Sequence, residues 1–349
     1  MIFLGHHVHQ PLRRVLAPLE LREVLGDGAD DVATAFAVTD EGNFEGRTVL
    51  TRPAGEPPDE ATLARLLAAR DERPQPRVDT KAVVAYNALA VEALARAGRL
   101  LHEARWVGMS EHTMDRLLAS RGEDGRLPRT VGGDPAPGVL DDHAFVVVAL
   151  IELHQATGDA RWLREARAVW QVMDRVFWDA DASLWRHSAD PGLIVQRVDV
   201  SDGAEPSGVS RAIRGTLQLR ALGAQDVPAQ RVDEALAGSA PWLARSPASA
   251  PTTAVSHALA SRPAMTVVVA GTEPSAIASL TDVFHEAWRP DATLMVTTPS
   301  DPLVHFALAQ GKDAGEHAAR AFVCYDGACQ QPVSEPAALR TVLSGGDTP

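Results

Sequence analysis

The stretch DDHAFVVVALIELHQATG, residues 141–158, decides the fold. It opens on Asp141 and Asp142, whose side-chain oxygens can accept unpaired amide N–H groups, and it stops at Gly158, a residue suited to the left-handed cap. Between them, Ala144 to Ile151 is apolar without a break. A helix with no polar stripe is buried on most of its sides. Two other stretches share this plan. One runs from Asp79-Thr80-Lys81 to a stop at Gly98, the other from Asp202-Gly203-Ala204-Glu205-Pro206-Ser207 to a stop at Gly223. Each is followed by a more amphipathic segment. In the clearest one, Trp162, Ala166, Val169, Trp170, Met173 and Phe177 fall on one face at three- and four-residue steps. Segments 101–119 and 228–244 read similarly.

The stop glycines recur at intervals of roughly 60–65 residues, a repeat of helical hairpins. Stacked hairpins give an open solenoid or a closed ring, and the buried first helices favour the ring, an (α/α) barrel. In such a ring the inner helices run parallel, so their acidic N-terminal ends meet at one mouth. The texture changes after residue 262. MTVVVA (265–270) reads as a buried parallel strand, TLMVT (293–297) and AFVCY (321–325) as two more, with helices near 273–288 and 335–343. The expectation is a mainly α protein with a small C-terminal α/β appendage from 263 to 349.

The chain of 349 residues is 45% hydrophobic and 23% charged, enough for a sizeable core. Its net charge of −13 argues against nucleic-acid or anionic-membrane partners, which need clustered positive charge. No window supplies the roughly 18 apolar residues of a membrane span, and MIFLG at the start is too short for a signal-peptide core. These readings point to the cytoplasm. Two cysteines, Cys324 and Cys329, cannot by themselves make a disulfide framework or a closed zinc site.

Several stretches together carry a family resemblance: TDEGNFEG (39–46), VLDDHAF (139–145), DGAEPS (202–207) and CYDGACQQP (324–332), with Asp79-Thr80-Lys81 and Tyr86-Asn87 as a looser match. In order and spacing the chain resembles the spermatogenesis-associated protein 20 family of thioredoxin-domain-containing proteins from about residue 21 to 345. The resemblance implies an (α/α)6 toroid similar to the barrels of N-acylglucosamine 2-epimerases and six-hairpin glycosidases. In the family it follows a thioredoxin-like domain that has no counterpart in this sequence. Residues 1–20 match nothing in the family. The implied object is the C-terminal part of a member, with about four of six hairpins in 21–262. Departures stand at the expected mouth: Thr80 replaces an acid, Ala85-Tyr86 a Ser-Trp pair, His143 an aromatic and Val209 an asparagine.

The candidate catalytic groups are Asp142 and Glu205. A carboxyl in a confined apolar mouth has its pKa raised and donates a proton near neutral pH, and two carboxyls flanking a sugar bond are the minimum for glycoside hydrolysis. The alternative reading is helix capping by Asp141 with a favourable dipole interaction for Asp142, and a tight turn with Asp202 as an Asx acceptor and Ser207 as cap. Asp79, Lys81, Asn87, Asp141, His143 and Asp202 are candidate substrate-positioning residues. Lys81 at a helix start sits against the dipole and calls for an acidic partner, structural or functional. Buried Asn87 must find partners. His143 is either a base for proton abstraction, as 2-epimerisation requires, or a hydrogen-bonded structural residue. Cys324 and Cys329 read as two partly buried free thiols, or as a redox pair. His6, His7 and His9 read as incidental, and no metal or organic cofactor is implied. The leading functional expectation is acid–base chemistry on a carbohydrate-like small molecule. The rivals are a non-catalytic scaffold, covered by a second copy or by a separately encoded N-terminal half, and a thiol redox role.

Overall fold

The computed structural model describes residues 15–16, 18–46, 48–51, 56–74, 79–132 and 136–344, and a division between Thr80 and Lys81 separates two units. The sequence boundaries at 20 and 262 do not coincide with it. In the first unit, β1 (Val15–Leu16) pairs antiparallel with β2 (Thr48–Val49). Three helices accompany them: α1 (Pro18–Leu25), α2 (Ala29–Ala35) and α3 (Glu60–Asp71). Leu21, Leu25, Ala29 and Val32 form its small core. Asn43 holds the 39–46 loop to β2, accepting from Val49 N–H at 2.8 Å and donating to its carbonyl at 3.0 Å.

The second unit begins with β3 (Ala82–Val83), α4 (Val84–Leu100), α5 (Ala104–Leu118) and β4 (Thr130–Val131), which pairs with β3. Then come α6 (Leu140–Thr157), α7 (Ala160–Phe177) and the ribbon β5 (Trp178–Asp179) with β6 (Leu184–Trp185). The helices α8 (Gly208–Ala221), α9 (Ala229–Arg245) and α10 (Pro251–Ala260) complete the helical part. α4 packs on α6, α6 on α8 and α8 on α10, while α5, α7 and α9 cover the helices they follow. The inner row of α4, α6, α8 and α10 runs parallel. Ala85 N–H of α4 donates to Asp142 of α6 (3.0 Å), and Arg99 Nε, at the other end of α4, meets Glu152 of α6 at 2.7 Å. Thr252 N–H of α10 donates to Asp202, just before α8, at 2.8 Å.

α6 is buried all round: Leu140 and every residue from Asp142 to Gln155 are inside. α7 is its amphipathic cover, burying the six residues of the expected stripe. Gly158 and Gly223 take positive φ (71° and 79°) as helix stops. Gly98 does not, since α4 continues to Leu100. It is small because α5 presses on it: a Cβ there would lie 2.6 Å from Val107 Cγ2.

The C-terminal part is a sheet of order β10-β9-β7-β8, formed by β7 (Met265–Gly271), β8 (Ala292–Thr297), β9 (Ala319–Tyr325) and β10 (Ala328–Cys329). β7 and β8 are parallel, and β9 runs antiparallel to β7. α11 (Pro274–His285) and α12 (Pro336–Ser344) pack on the face bearing Val267, Val269, Leu294 and Val323. The other face, with Val268, Met295 and Cys324, joins the helical core. The α/β segment is therefore built into the helical unit rather than appended to it. No helix among the described residues is long and apolar enough to cross a membrane.

The expectation of free thiols is overturned. Cys324 and Cys329 form a disulfide, because the β9–β10 turn sets them directly opposite in the ladder.

Candidate functional site

The starts of α6 and α8 meet at one end of the inner row, and their local chemistry decides which side chains face inward. Ser207 Oγ caps α8 by accepting from Ser210 N–H at 3.1 Å. Asp202 Oδ1 accepts from Ser207 N–H at 2.8 Å, and its Oδ2 takes Thr252 N–H, so one carboxylate secures the starts of two helices. His187 is fixed beside them, its carbonyl accepting from Leu140 N–H at 2.9 Å. Gly208 permits the contact of α8 with α6: an added Cβ would lie 2.2 Å from Asp141 Oδ1 and 3.2 Å from Asp141 N.

These constraints leave a cavity of about 170 Å³, with Asp141, His187, Asp199, Gly203, Glu205 and Gly208 on its walls. His187 Nδ1 is 3.7 Å from Asp141 Oδ1, and the Tyr86 hydroxyl lies 3.5 Å from Glu205 Oε1. Burial pushes the Asp141 carboxyl up. His187 and Arg129 oppose that rise, while Glu205 and Asp199 add to it. Burial and the Glu205 carboxylate likewise push the Tyr86 phenol up.

The sequence candidates fall into three groups. Asp141 and Glu205 line the cavity. Asp142, Asn87, His143 and Asp202 are bonded into the framework. Asp142 is fully buried and accepts from Ala85 N–H (3.0 Å), Val139 N–H (2.9 Å) and Arg129 Nη1 (3.1 Å). Burial raises its pKa to about 7 against the pull of those donors. It is the capping group, and Asp141, one residue earlier, faces the cavity. Asn87 donates back to the Val83 carbonyl at 2.8 Å. His143 accepts from Leu127 N–H at Nε2 (3.1 Å) and contacts the Val139 carbonyl through Nδ1 (3.0 Å), and burial lowers its pKa to about 4. Both ring nitrogens are occupied, so a proton-abstracting role for His143 is corrected to a structural one.

In the third group, Lys81 is exposed just before β3, and Cys324 and Cys329 lie in the β9–β10 ladder; none of the three lines the cavity. Asp79 belongs to the first unit. His6, His7 and His9 lie outside the described residues. Sequence reasoning missed His187 and Asp199, which sit in the irregular segment between β6 and α8, where no periodicity marks them. Among the described residues no group of three or more His, Cys, Asp or Glu side chains is gathered to hold a metal ion.

No family model matches the chain. It is 28% identical over 306 residues to spermatogenesis-associated protein 20 of Homo sapiens, covering 80% of this chain and 38% of the human protein. The Rattus norvegicus protein of the same name is 27% identical over 301 residues, covering 80% and 38%. An uncharacterised protein of Caenorhabditis elegans is 24% identical over 362 residues, covering 87% and 48%. The chain thus spans between 38% and 48% of the length of these curated relatives. Over about 80% of its length the chain is thus similar to spermatogenesis-associated protein 20.

Proposed function

We propose that the second unit is part of an (α/α) toroid, and that the acidic cavity at the start of its inner helices binds a carbohydrate-like, polyhydroxylated small molecule. The observation that carries this reading is that Asp141 and Glu205 share one small cavity, in which burial pushes the Asp141 carboxyl above its ordinary value. Ionised carboxylates are acceptors only, which suits hydroxyl-rich ligands. In this reading Asp141 donates the proton and Glu205, beside the Tyr86 hydroxyl, receives one. The volume is below that of a drug-sized pocket, so the ligand is a single small ring rather than a chain. No organic cofactor enters the scheme, and the cytoplasm is the compartment proposed with it.

Calorimetric titration with a panel of neutral monosaccharides and polyols, on the wild type, Asp141→Asn and Glu205→Gln, tests the reading. At least one ligand should bind saturably and weaken about ten-fold in each variant, the loss expected for a hydrogen bond to a charged group. Binding that is absent throughout, or indifferent to both substitutions, overturns it.

A second reading is favoured by α10. It packs on α8 and α9, and Val255 on it is 54% exposed. In a ring this flank would meet a further hairpin, supplied by a second copy or by a separately encoded part of the barrel. Light scattering distinguishes the two: a monodisperse monomer that ignores an added N-terminal half from a full-length relative rejects this reading.

A further inference from the structure

We infer that a second cavity, at the opposite end of α8, binds a small organic oxyanion, with Arg214 holding its charged head and Gln218 accepting a hydrogen bond from it. This cavity of about 1120 Å³ lies among the C-terminal half of α8, the start of α9, the end of α10 and the base of the sheet. Arg214 and Gln218 are four residues apart on α8, so their side chains lie one above the other on the same face. Leu217, Leu236 and Leu259 supply apolar wall.

Two independent features point to a ligand. Gln218 is 7% exposed, and its Oε1 is buried with no hydrogen-bond partner among the described residues. Leaving such an acceptor unmet costs about 1–3 kcal/mol, so a donor that reaches it is strongly favoured. The second feature is charge. Behind Arg214, the inner helices bury a network in which Arg96 and Arg99 pair with Glu152, and Arg96 and Arg211 pair with Glu92. With Arg214 this makes four guanidinium groups against two carboxylates among the described residues. Arg99 Nη1 and Arg211 Nε, both buried, have no partner. Burial and the neighbouring Arg211 push the Arg214 guanidinium down to about 10. An anion at Arg214 would relieve that surplus.

The remaining wall charges are Arg220, Arg262 and Lys312 against Asp233, Asp291 and Asp326. Arg220 donates to the Val227 carbonyl (3.1 Å), and Asp326 accepts from Ala264 N–H (2.9 Å). Arg214 itself spends Nη2 on the Pro290 carbonyl at 2.7 Å, which fixes its planar fork, a shape matched to phosphate or carboxylate. A ligand with one such group, a hydroxyl or amino donor for Gln218 and an apolar body fits these walls.

Calorimetric titration of the full chain with glucose 6-phosphate, AMP and citrate tests the inference, with glucose and adenosine as uncharged counterparts. At least one anion should bind saturably and more tightly than its uncharged counterpart, and any glucose binding at the acidic cavity should be unaffected by Arg214→Met; the phosphate and citrate arms tell the two head groups apart. Arg214→Met should weaken binding about ten-fold. Gln218→Leu should weaken it several-fold while raising the melting temperature, since an apolar side chain replaces an unmet acceptor. No anion binding above the uncharged counterparts, or affinities unchanged in both variants, overturns the inference. If Arg214→Met does not fold, Gln218→Leu decides alone.

Discussion

Asp141 and Asp142 are adjacent, both are carboxyls shifted upward by burial, and they do opposite work. At about 3.6 residues per turn, one residue turns the side chain by more than a quarter of the helix circumference. Asp142 thereby points back to its own helix start and across to α4, and Asp141 points to the cavity. The two substitutions to Asn should separate cleanly in urea unfolding. Asp142→Asn leaves one carbonyl oxygen for three donors and should cost about 1–3 kcal/mol. Asp141→Asn removes a carboxyl crowded by Asp199 and Glu205 and should cost less than 1 kcal/mol or stabilise (order of magnitude). The reverse ranking would refute this division of labour. The sequence marks both acids as helix-start residues, but which one caps depends on where α4 and Arg129 stand, and that is a tertiary fact. His187 and Asp199 were illegible for a related reason: they reach the cavity from an irregular segment held by backbone bonds that leave no pattern in the residues.

α6 works as a clamp at both ends through two histidines of the same design. His143 takes Leu127 N–H near its start; His154 takes Val296 N–H at 3.0 Å near its end, with Nδ1 on the Asp159 carbonyl at 2.9 Å. Together with Gln155, which accepts from Leu294 N–H at 3.1 Å, His154 satisfies the outer edge of β8 and so closes a strand edge against further pairing. His154→Leu would leave the Val296 N–H buried and unpaired. A loss of about 2–4 kcal/mol is expected, together with faster amide exchange along β8 measured by mass spectrometry. Unchanged exchange in β8 would mean that the edge is held by something else. The meeting of α8 with α6 rests on an absent side chain. Gly208→Ala places a Cβ against Asp141, including its backbone nitrogen, and should cost about 1–3 kcal/mol by overpacking and reshape the acidic cavity. A crystal structure or a ligand titration of that variant would detect the change. The helices α4 to α9 and the strands β7 to β9 were plain in the apolar runs, whereas the helices of the first unit and α10 were not singled out. Gly98 misled because a glycine at a helix end and a glycine under a crossing helix look alike in one dimension. The sheet's attachment to α6 was hidden because the donors are main-chain groups.

Taken together, the buried titratable groups set how the second unit responds to pH. His143, His154 and His285 are each held near pKa 4, below their ordinary 6.5, chiefly by burial. A depressed native pKa contributes stability that is complete above about 6.5 and is lost as pH falls toward 4, because the unfolded chain takes up protons that the native state refuses. Asp142 acts in the opposite sense. Its native pKa of about 7 stands above the ordinary 3.8, so the native state holds a proton that the unfolded chain has released, and this stability is lost as pH rises through 7. Between pH 5 and 6 the three imidazoles outnumber the one carboxyl, and about two protons net are taken up on unfolding. Stability should therefore fall by about 2–3 kcal/mol per pH unit as pH drops along that limb, and should level off to a plateau above about pH 7.5, where the imidazole and carboxyl contributions cancel. Urea midpoints measured at half-unit steps from pH 4.5 to 8 provide the curve. His154→Leu should flatten the acid limb by about one proton, and Asp142→Asn should steepen it by about one. Those opposite changes from two residues on the same helix follow only if both groups keep their buried protonation states, an imidazole without its second proton and a carboxyl that retains one. An acid limb of the same slope in both variants would place the pH sensitivity elsewhere in the chain.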